Sequence, residues 1–286
     1  ARAEGRTQRS AAAPSGRART GDPARAAAFE VLRQVDGSDA YANLVLPPLL
    51  RARRITGRDA AFATELAYGT LRMRGRYDAI LEIATGRPVE KLDPPVRDVL
   101  RLGAHQVLGM RVPPHAAVSE TVALTRALVG AGPAQLVNAA LRRVSERTLE
   151  DWLLRLAESA EDETERLSVA QSHPAWIVRA MRQALVADGR DAGELDALLE
   201  ADNAAPAVTL VARPGLSERD VVLAGVDGGT AGRWTPTAVR MPSGDPAQVA
   251  GVSSGRVGVQ DEGSQLVALA LAQVSVPPRQ GSAVPE

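Results

Sequence analysis

The 286-residue chain carries 34 basic and 34 acidic side chains, so its formal net charge at pH 7 is zero. It contains no cysteine, which excludes disulfides, thiolate metal ligands and a cysteine nucleophile in this sequence. The three histidines lack metal-ligand spacing, no apolar run is long enough to span a membrane, and the N-terminus has no apolar signal core. We therefore expect a cytoplasmic protein without a metal site or a membrane anchor.

Charge is distributed unevenly along the chain. Residues 1–22 are rich in Arg, Ala and Ser and have no periodicity, which is typical of a disordered basic arm. An organellar transit peptide is the alternative for this segment. Basic side chains stay in excess up to residue 148, and acidic side chains predominate from residue 149 onward. The asymmetry indicates two domains with different partners.

Apolar residues between Pro23 and about Leu156 recur at the spacing of amphipathic helices, with short connections rich in Pro and Gly. Asp22 can cap the first helix, because Pro follows it at the first helical position. Gly69 falls on the apolar stripe of a later helix, where a residue without a side chain indicates close approach of another helix. The pattern predicts a compact all-α bundle over residues 23–148.

The second half of the chain changes character twice. Residues 149–203 continue with a helical pattern and predict a helical linker with a solvated acidic face. Alternating apolar residues then predict short strands at AVTLVAR (207–213), at TAVRM and at Val257–Val259. Residues 204–274 are therefore predicted to form a small α/β subdomain with two or three strands, and residues 275–286 a disordered tail.

Three smaller motifs in this subdomain have structural explanations. Ser217 with Asp220 resembles a capping box that opens a short helix reaching Gly225. The following GVDGGTAG resembles a dinucleotide loop only faintly, because it does not lie between a strand and a helix, and it is predicted to be a turn. Asp261 and Glu262 open the last helix, where an N-cap role explains both without catalysis.

Arginines are concentrated at two helix ends of the predicted bundle. Arg51, Arg53, Arg54 and Arg58 surround a predicted loop, and Arg72, Arg74 and Arg76 end the next helix. The cluster fits a phosphate-binding surface, and it equally fits a soluble helix surface with favourable charge at a helix C-terminus. Aromatic residues are only 3% of the chain, so recognition of RNA backbone and shape is favoured over base stacking.

Three segments of the bundle, RDAAFATELAYGTLR, VPPHAAVSETVALTRAL and LVNAALRRV, resemble in order the helices of a NusB-type domain. SHPAWIVRAM, ADNAAPAVTLVARPG and VGVQDEGSQLVALAL are similar to the region C-terminal to that domain in one enzyme family. That family is the bacterial 16S ribosomal RNA cytosine-5 methyltransferases of the RsmB type, also called Fmu or Sun. The resemblance covers about residues 23–274 and implies a mainly α fold, a NusB-like helical bundle followed by a small α/β subdomain.

In that family the QDEGSQ helix precedes a Rossmann-like catalytic domain. This domain binds S-adenosylmethionine through a motif of the type DxCAGPGGK, and a cysteine attacks C6 of the target cytosine. The present sequence has neither that motif nor any cysteine. We therefore expect the Rossmann-like methyltransferase domain to be missing, with no catalytic or cofactor-binding residue in this chain. S-adenosylmethionine is the cofactor that the resemblance implies for the full-length family.

The resemblance implies an RNA-binding region for small-subunit ribosomal RNA, with a ribosomal protein as a further candidate partner. The expected phosphate contacts are Arg25, Arg58, Arg72, Arg74, Arg76, Arg142 and Arg143. A NusB-type transcription antitermination or protein-docking factor is the alternative, although free-standing NusB proteins lack the equivalent of residues 149–274. An active methyltransferase is a third hypothesis. The apolar helix ending at Leu266–Val274 is expected to fray or aggregate, because nothing in the sequence covers it.

Overall fold

The computed structural model describes residues 22–242 and 244–274. The chain divides into two compact units, with the boundary between Ala204 and Ala205. The predicted basic arm, apart from Asp22, and the predicted tail lie outside the described residues. Across the described ranges, no helix combines the length and the apolar character needed to cross a membrane.

The first unit is entirely helical in its described part. Its helices are α1 (Pro23–Ser38), α2 (Ala42–Ala52), α3 (Gly57–Arg72), α4 (Arg74–Thr85), α5 (Pro94–Leu108), α6 (Pro114–Leu128), α7 (Ala134–Ser145), α8 (Leu149–Ser159), α9 (Glu163–Ala170), α10 (Ala175–Ala187) and α11 (Leu195–Asp202). Asp22 caps α1 as predicted, since its carboxylate accepts a hydrogen bond from the Arg25 backbone N–H. Trp152 of α8 is buried and donates to the Val144 carbonyl of α7 at 3.0 Å, so α8 packs directly on the bundle.

Helix α5 lies at the centre of the bundle and packs against α1, α3, α4, α6 and α7. Every residue from Asp98 to Gln106 is buried. Burial of a polar group is costly unless a partner satisfies it, so each polar side chain of α5 must meet one on a neighbouring helix. Four polar or charged side chains, those of Asp98, Arg101, His105 and Gln106, lie in this buried stretch.

Two of these side chains form an ion-pair network with α1 and α4. Arg33 of α1 donates to Asp98 at 2.7 Å, and Arg101 donates to the same carboxylate at 3.1 Å. Arg101 also donates two hydrogen bonds of 2.7 Å to the two oxygens of Asp78 on α4. Burial raises the pKa of Asp98, while the hydrogen bond from Arg33 and the charge of Arg101 act in the opposite direction.

The other two polar residues of α5 connect it to α1 and α4 and to two further helices, α3 and α6. The Nδ1 atom of His105 lies 2.8 Å from the Tyr77 hydroxyl of α4, and its Nε2 atom lies 3.5 Å from a Glu65 carboxylate oxygen of α3. Gln106 accepts a hydrogen bond of 2.7 Å from Arg25 of α1 and donates to the Thr121 hydroxyl of α6 at 3.2 Å. The polar groups of α5 therefore fix its rotation relative to every surrounding helix except α7.

Gly69 brings α3 and α5 together, as its place on the apolar stripe predicted. A Cβ atom at Gly69 would lie 2.3 Å from the Nε2 atom of His105, far inside van der Waals contact. Gly103 of α5 makes a similar approach possible toward α7, because a Cβ atom there would lie 2.4 Å from a methyl group of Leu141. The absence of a side chain at both positions sets the spacing of these helices.

The second unit contains a four-stranded antiparallel sheet with the strand order β2-β3-β1-β4. Its elements are β1 (Val208–Ala212), α12 (Arg219–Ala224), β2 (Thr230–Ala231), β3 (Ala238–Met241), β4 (Val257–Val259) and α13 (Glu262–Gln273). The small α/β subdomain is confirmed, but the expectation of two or three strands is wrong. The two-residue β2 lies inside the glycine-rich segment predicted as a turn and is too short to show alternation.

The capping box predicted at the start of α12 is also wrong. The N-cap residue is Glu218, and no side chain caps this helix. Ser217 lies one residue before the N-cap position, so its hydroxyl cannot serve the first turn as a capping box requires. Val222 of α12 and Val226 pack with one face of the sheet, including Leu210 and Val239, and form the core of this unit.

Helix α13 is attached to the sheet by polar side chains rather than by its apolar ones. Gln265 is its single buried residue; its amide donates to the Gln260 carbonyl at 2.9 Å, and its oxygen accepts from the Thr235 and Thr237 hydroxyls. The apolar residues Leu266, Val267, Leu271 and Val274 are exposed. The helix is therefore uncovered along its apolar residues, as expected, and its fraying stays a prediction.

Asp261 and Glu262 at the start of α13 have different roles. Asp261 caps the helix as predicted, accepting from the Ser264 backbone N–H at 2.8 Å. Glu262 accepts instead from the backbone N–H groups of Trp234 and Thr235, at 2.7 and 3.2 Å. The hydrogen bond from Trp234 is the main cause that lowers the pKa of Glu262. Its predicted N-cap role is corrected to a link between α13 and the β2–β3 loop.

We expect Gly69→Ala to lower the free energy of unfolding by about 1–3 kcal/mol, because the added methyl group overlaps a His105 ring that Tyr77 holds in place. Gly37→Ala in α1 is the matched control, since its methyl group would meet only an Arg33 guanidinium nitrogen at 4.0 Å. That control should be neutral or stabilising by up to about 1 kcal/mol. Urea denaturation followed by circular dichroism measures both, and equal stabilities would contradict the close approach.

Asp98→Ala should lower the free energy of unfolding by about 3 kcal/mol, because the buried charge of Arg101 loses one of the two carboxylates to which it is hydrogen-bonded. Glu163→Ala removes an exposed ion pair with Arg182 and should change stability by less than about 1 kcal/mol. Chemical denaturation of the two variants gives the comparison. A loss at Asp98 no larger than at Glu163 would show that the network contributes little.

Gln265→Leu should accelerate amide hydrogen exchange throughout α13 by about tenfold or more, because the side chain that joins this helix to the sheet loses its hydrogen bonds. Gln273→Leu, at the exposed end of the same helix, is the control and should leave exchange unchanged. Exchange measured by mass spectrometry checks this. Identical protection in both variants would mean that other contacts hold the helix.

Candidate nucleic-acid interface

Helix α3 carries predicted phosphate contacts at both of its ends. Arg58 is its second residue and Arg72 its last, which places their backbones about 21 Å apart along the helix axis. Arg74 begins the next helix, α4. Arg58 and Arg74 are exposed and Arg72 is half-buried, and none of the three guanidinium groups is hydrogen-bonded to another described residue. All three are available to an external anion.

The structure corrects the expectation for Arg25. Its side chain is buried, donates to Gln106 at 2.7 Å and pairs with Asp22 at 2.7 Å. The guanidinium also lies 4.8 Å from the centre of the Phe62 ring, within the range of a cation–π contact. Arg25 therefore joins α1 to α5 and α3 inside the bundle and is not available to phosphate.

Arg76 is corrected in the same way. Its Nε atom donates to the Ala170 carbonyl at 2.7 Å, and a second guanidinium nitrogen donates to the same oxygen. Burial lowers the pKa of Arg76. Ala170 is the last residue of α9, so Arg76 satisfies a free carbonyl at the C-terminus of that helix. Arg53, in the loop cluster, is also occupied, because it pairs with Glu30.

Arg142 and Arg143 lie in the last turn of α7, where their charge is favourable for the helix. Arg143 donates to the Ala84 carbonyl near the end of α4 at 2.9 Å, although its side chain remains exposed. Arg142 is exposed and faces a groove between α6 and α7. The free arginines of the predicted set thus occupy three separate places, the two ends of α3 and the end of α7.

The groove between α6 and α7 has a volume of about 820 Å³. Its apolar lining consists of Pro114, Val118, Val122, Ala123 and Ala127. Its polar lining consists of His115, Ser119, Arg126, Asn138, Arg142 and Ser145. Of these polar residues, the sequence analysis predicted only Arg142 as a site residue. The groove could have been inferred from the helical spacing of Ser119, Ala123 and Ala127, which leaves one face of α6 without large side chains.

The described residues do not fit S-adenosylmethionine. Residues 225–232 run from the end of α12 into β2, so this glycine-rich loop does not connect a strand to a helix as a nucleotide-binding loop requires.

The strands β1 to β4 carry no aromatic residue, so the sheet offers no platform for stacking of RNA bases. Among the described residues there is also no cluster of three or more His, Asp or Glu side chains suited to a metal ion.

Residues 22–146 match the NusB family, so α1–α7 form a NusB domain. The crystal structure of PH0851 shares the fold more broadly, with a TM-score of 0.67 and 13% identity, covering 87% of this chain and 55% of that chain.

The chain is also similar to curated proteins over both of its units. It is 49% identical over 251 residues to "Putative methyltransferase Rv1407" of Mycobacterium tuberculosis (strain ATCC 25618 / H37Rv), covering 87% of this chain and 54% of the relative. It is 30% identical over 247 residues to the ribosomal RNA small subunit methyltransferase B of Klebsiella pneumoniae (strain ATCC 700721 / MGH 78578), covering 84% and 53%. The chain therefore spans about half the length of these relatives and is homologous to their N-terminal half.

Proposed function

We propose that this chain is the RNA-binding N-terminal region of a cytoplasmic 16S ribosomal RNA cytosine-C5 methyltransferase. The observation that carries the proposal is the similarity to methyltransferases, which extends over 84–87% of this chain and continues well beyond the NusB domain at residues 22–146. A NusB-type antitermination or protein-docking factor is supported less well, because a NusB domain alone leaves the second unit without a role.

The proposed phosphate contacts are the predicted arginines that are exposed, or that are half-buried without a hydrogen-bond partner among the described residues. They are Arg58, Arg72, Arg74, Arg142 and Arg143. Arg25 and Arg76 are left out, because their guanidinium groups are committed to partners inside the first unit. The separation of Arg58 from Arg72 along α3 favours an RNA that extends over the bundle surface, since one phosphate group cannot reach both ends.

S-adenosylmethionine is the methyl donor implied for the full-length enzymes. The described residues do not fit it, so no step of methyl transfer is assigned to them. The contribution of the described residues in this proposal is to hold structured RNA through its backbone, which fixes position and orientation rather than sequence. A ribosomal protein remains a further candidate partner.

Arg74→Ala should weaken binding to a fragment of 16S ribosomal RNA by about three- to tenfold, and should lower the slope of log K against log salt concentration by about one. The loss should be similar for RNA fragments of different sequence, because a phosphate contact carries no base information. Arg179→Ala, which removes an exposed arginine from α10, is the matched control and should have little effect. Fluorescence anisotropy at several salt concentrations measures both.

Arg25→Ala separates the structural arginines from the contact arginines. It should lower thermal stability, because it removes the hydrogen bond to Gln106, and should leave the dependence of RNA affinity on salt concentration unchanged in the folded protein.

RNA affinity that is the same at low and high salt would rule out the phosphate-binding proposal. Stoichiometric binding of S-adenosylmethionine to this 286-residue chain would contradict the restriction of its role to RNA binding.

A further inference from the structure

The groove between α6 and α7 is lined by small apolar side chains and by two arginines. Val118 and Val122 in its lining are buried, so its accessible apolar surface comes from Pro114 and Ala127, which are exposed, and from Ala123, which is half-buried. Helices joined by a turn this short run antiparallel, which places Arg126, near the end of α6, at one end of the groove. Arg142, near the end of α7, then lies at the opposite end, beside His115.

The charge in this groove is uncompensated within the described residues. No carboxylate lines the groove, and neither Arg126 nor Arg142 is paired with a described side chain. Both guanidinium groups are exposed. An occupant with carboxylates at both ends would therefore meet two free cations, whereas a basic protein segment would be repelled.

The lining of the groove favours protein over RNA as the occupant. No Phe, Tyr or Trp side chain lines it, so bases lack a broad stacking surface, and a phosphate backbone gains nothing from the apolar side chains. Aliphatic side chains of a partner gain by burial against Pro114, Ala123 and Ala127. The small side chains of Ser119 and Ala123 on α6 leave room for another backbone to approach closely.

We propose that this groove binds an acidic amphipathic helix of a partner protein. Counted from the facing ends of the antiparallel pair, Arg126 is two residues before Leu128 and Arg142 is eight residues after Ala134, so their backbones are about 9 Å apart along the groove. Side chains eight residues apart on a helix are about 12 Å apart, a separation that two flexible arginine side chains can reach. The partner helix thus carries two acidic residues at that spacing, with aliphatic residues four apart between them.

The probe is a fluorescein-labelled helical peptide with two Leu residues four apart, flanked by two Glu residues eight apart, on an Ala/Gln background. We expect this peptide to bind the full chain, and the same peptide with Lys in place of both Glu residues not to bind. Arg126→Glu should weaken binding by about tenfold or more, and Ala123→Trp should abolish it by filling the groove. Arg155→Glu, an equal charge change on the exposed face of α8, should bind like the unaltered chain.

Arg142 belongs to both proposals, so the variants avoid it and the two proposals can fail separately. Arg74→Ala should leave peptide binding unchanged, and Arg126→Glu should leave RNA binding nearly unchanged. Arg126→Glu that weakens RNA as much as Arg74→Ala, with RNA displacing the peptide, would assign the groove to RNA and overturn the proposal. Failure of the peptide to bind the unaltered chain would do the same.

A second readout covers the case in which a groove variant fails to fold, which circular dichroism would reveal. Methyl resonances of Val118 and Val122 in the unaltered chain should shift on addition of the acidic peptide and not of its Lys counterpart. Shifts confined to other parts of the chain would overturn the assignment of the site.

Discussion

The enclosure of α5 is the constraint on which the first unit depends. A helix surrounded by five others cannot expose its polar side chains to water, so each must find a partner at a fixed place on a neighbouring helix. Asp98, Arg101 and Gln106 do so through hydrogen bonds to α1, α4 and α6, and His105 does so through Tyr77 of α4, with Glu65 of α3 3.5 Å from its other ring nitrogen. Gly69 and Gly103 let the surrounding helices come close enough. Apolar packing alone would leave the rotation of α5 less well defined, because it is not directional.

This constraint also divides the arginines of the bundle into two kinds. Arg25, Arg101 and Arg76 are used inside the unit, where their planar guanidinium groups satisfy carboxylate, amide or carbonyl oxygens on other helices. Arg58 and Arg74 are not hydrogen-bonded through their side chains to other described residues and are exposed to solvent. In a chain whose basic residues are almost all arginine, abundance alone therefore cannot identify a phosphate-binding surface. The arginines that can indicate such a surface are the exposed ones without a partner inside the bundle.

The second unit follows a different principle. Its core is small. Its last helix is held by Gln265, which donates to backbone carbonyls of β1 and of the loop before α13, and by Glu262, which accepts from a backbone N–H of the β2–β3 loop. The apolar side chains of that helix contribute little to the attachment, because they face solvent. The similarity to methyltransferases includes this second unit, and it covers about half the length of those relatives.

The sequence alone determined the helical bundle, the strands at Val208–Ala212 and Ala238–Met241, the caps at Asp22 and Asp261 and the relationship to NusB-type proteins, because these depend on periodicity and on residues close together in the chain. Only the tertiary structure decided that Arg25 is internal, since its partner Gln106 is 81 residues away. The α6–α7 groove likewise required the fold. Whether an arginine is buried and hydrogen-bonded inside the bundle depends on how distant helices pack, and local sequence patterns do not contain that information.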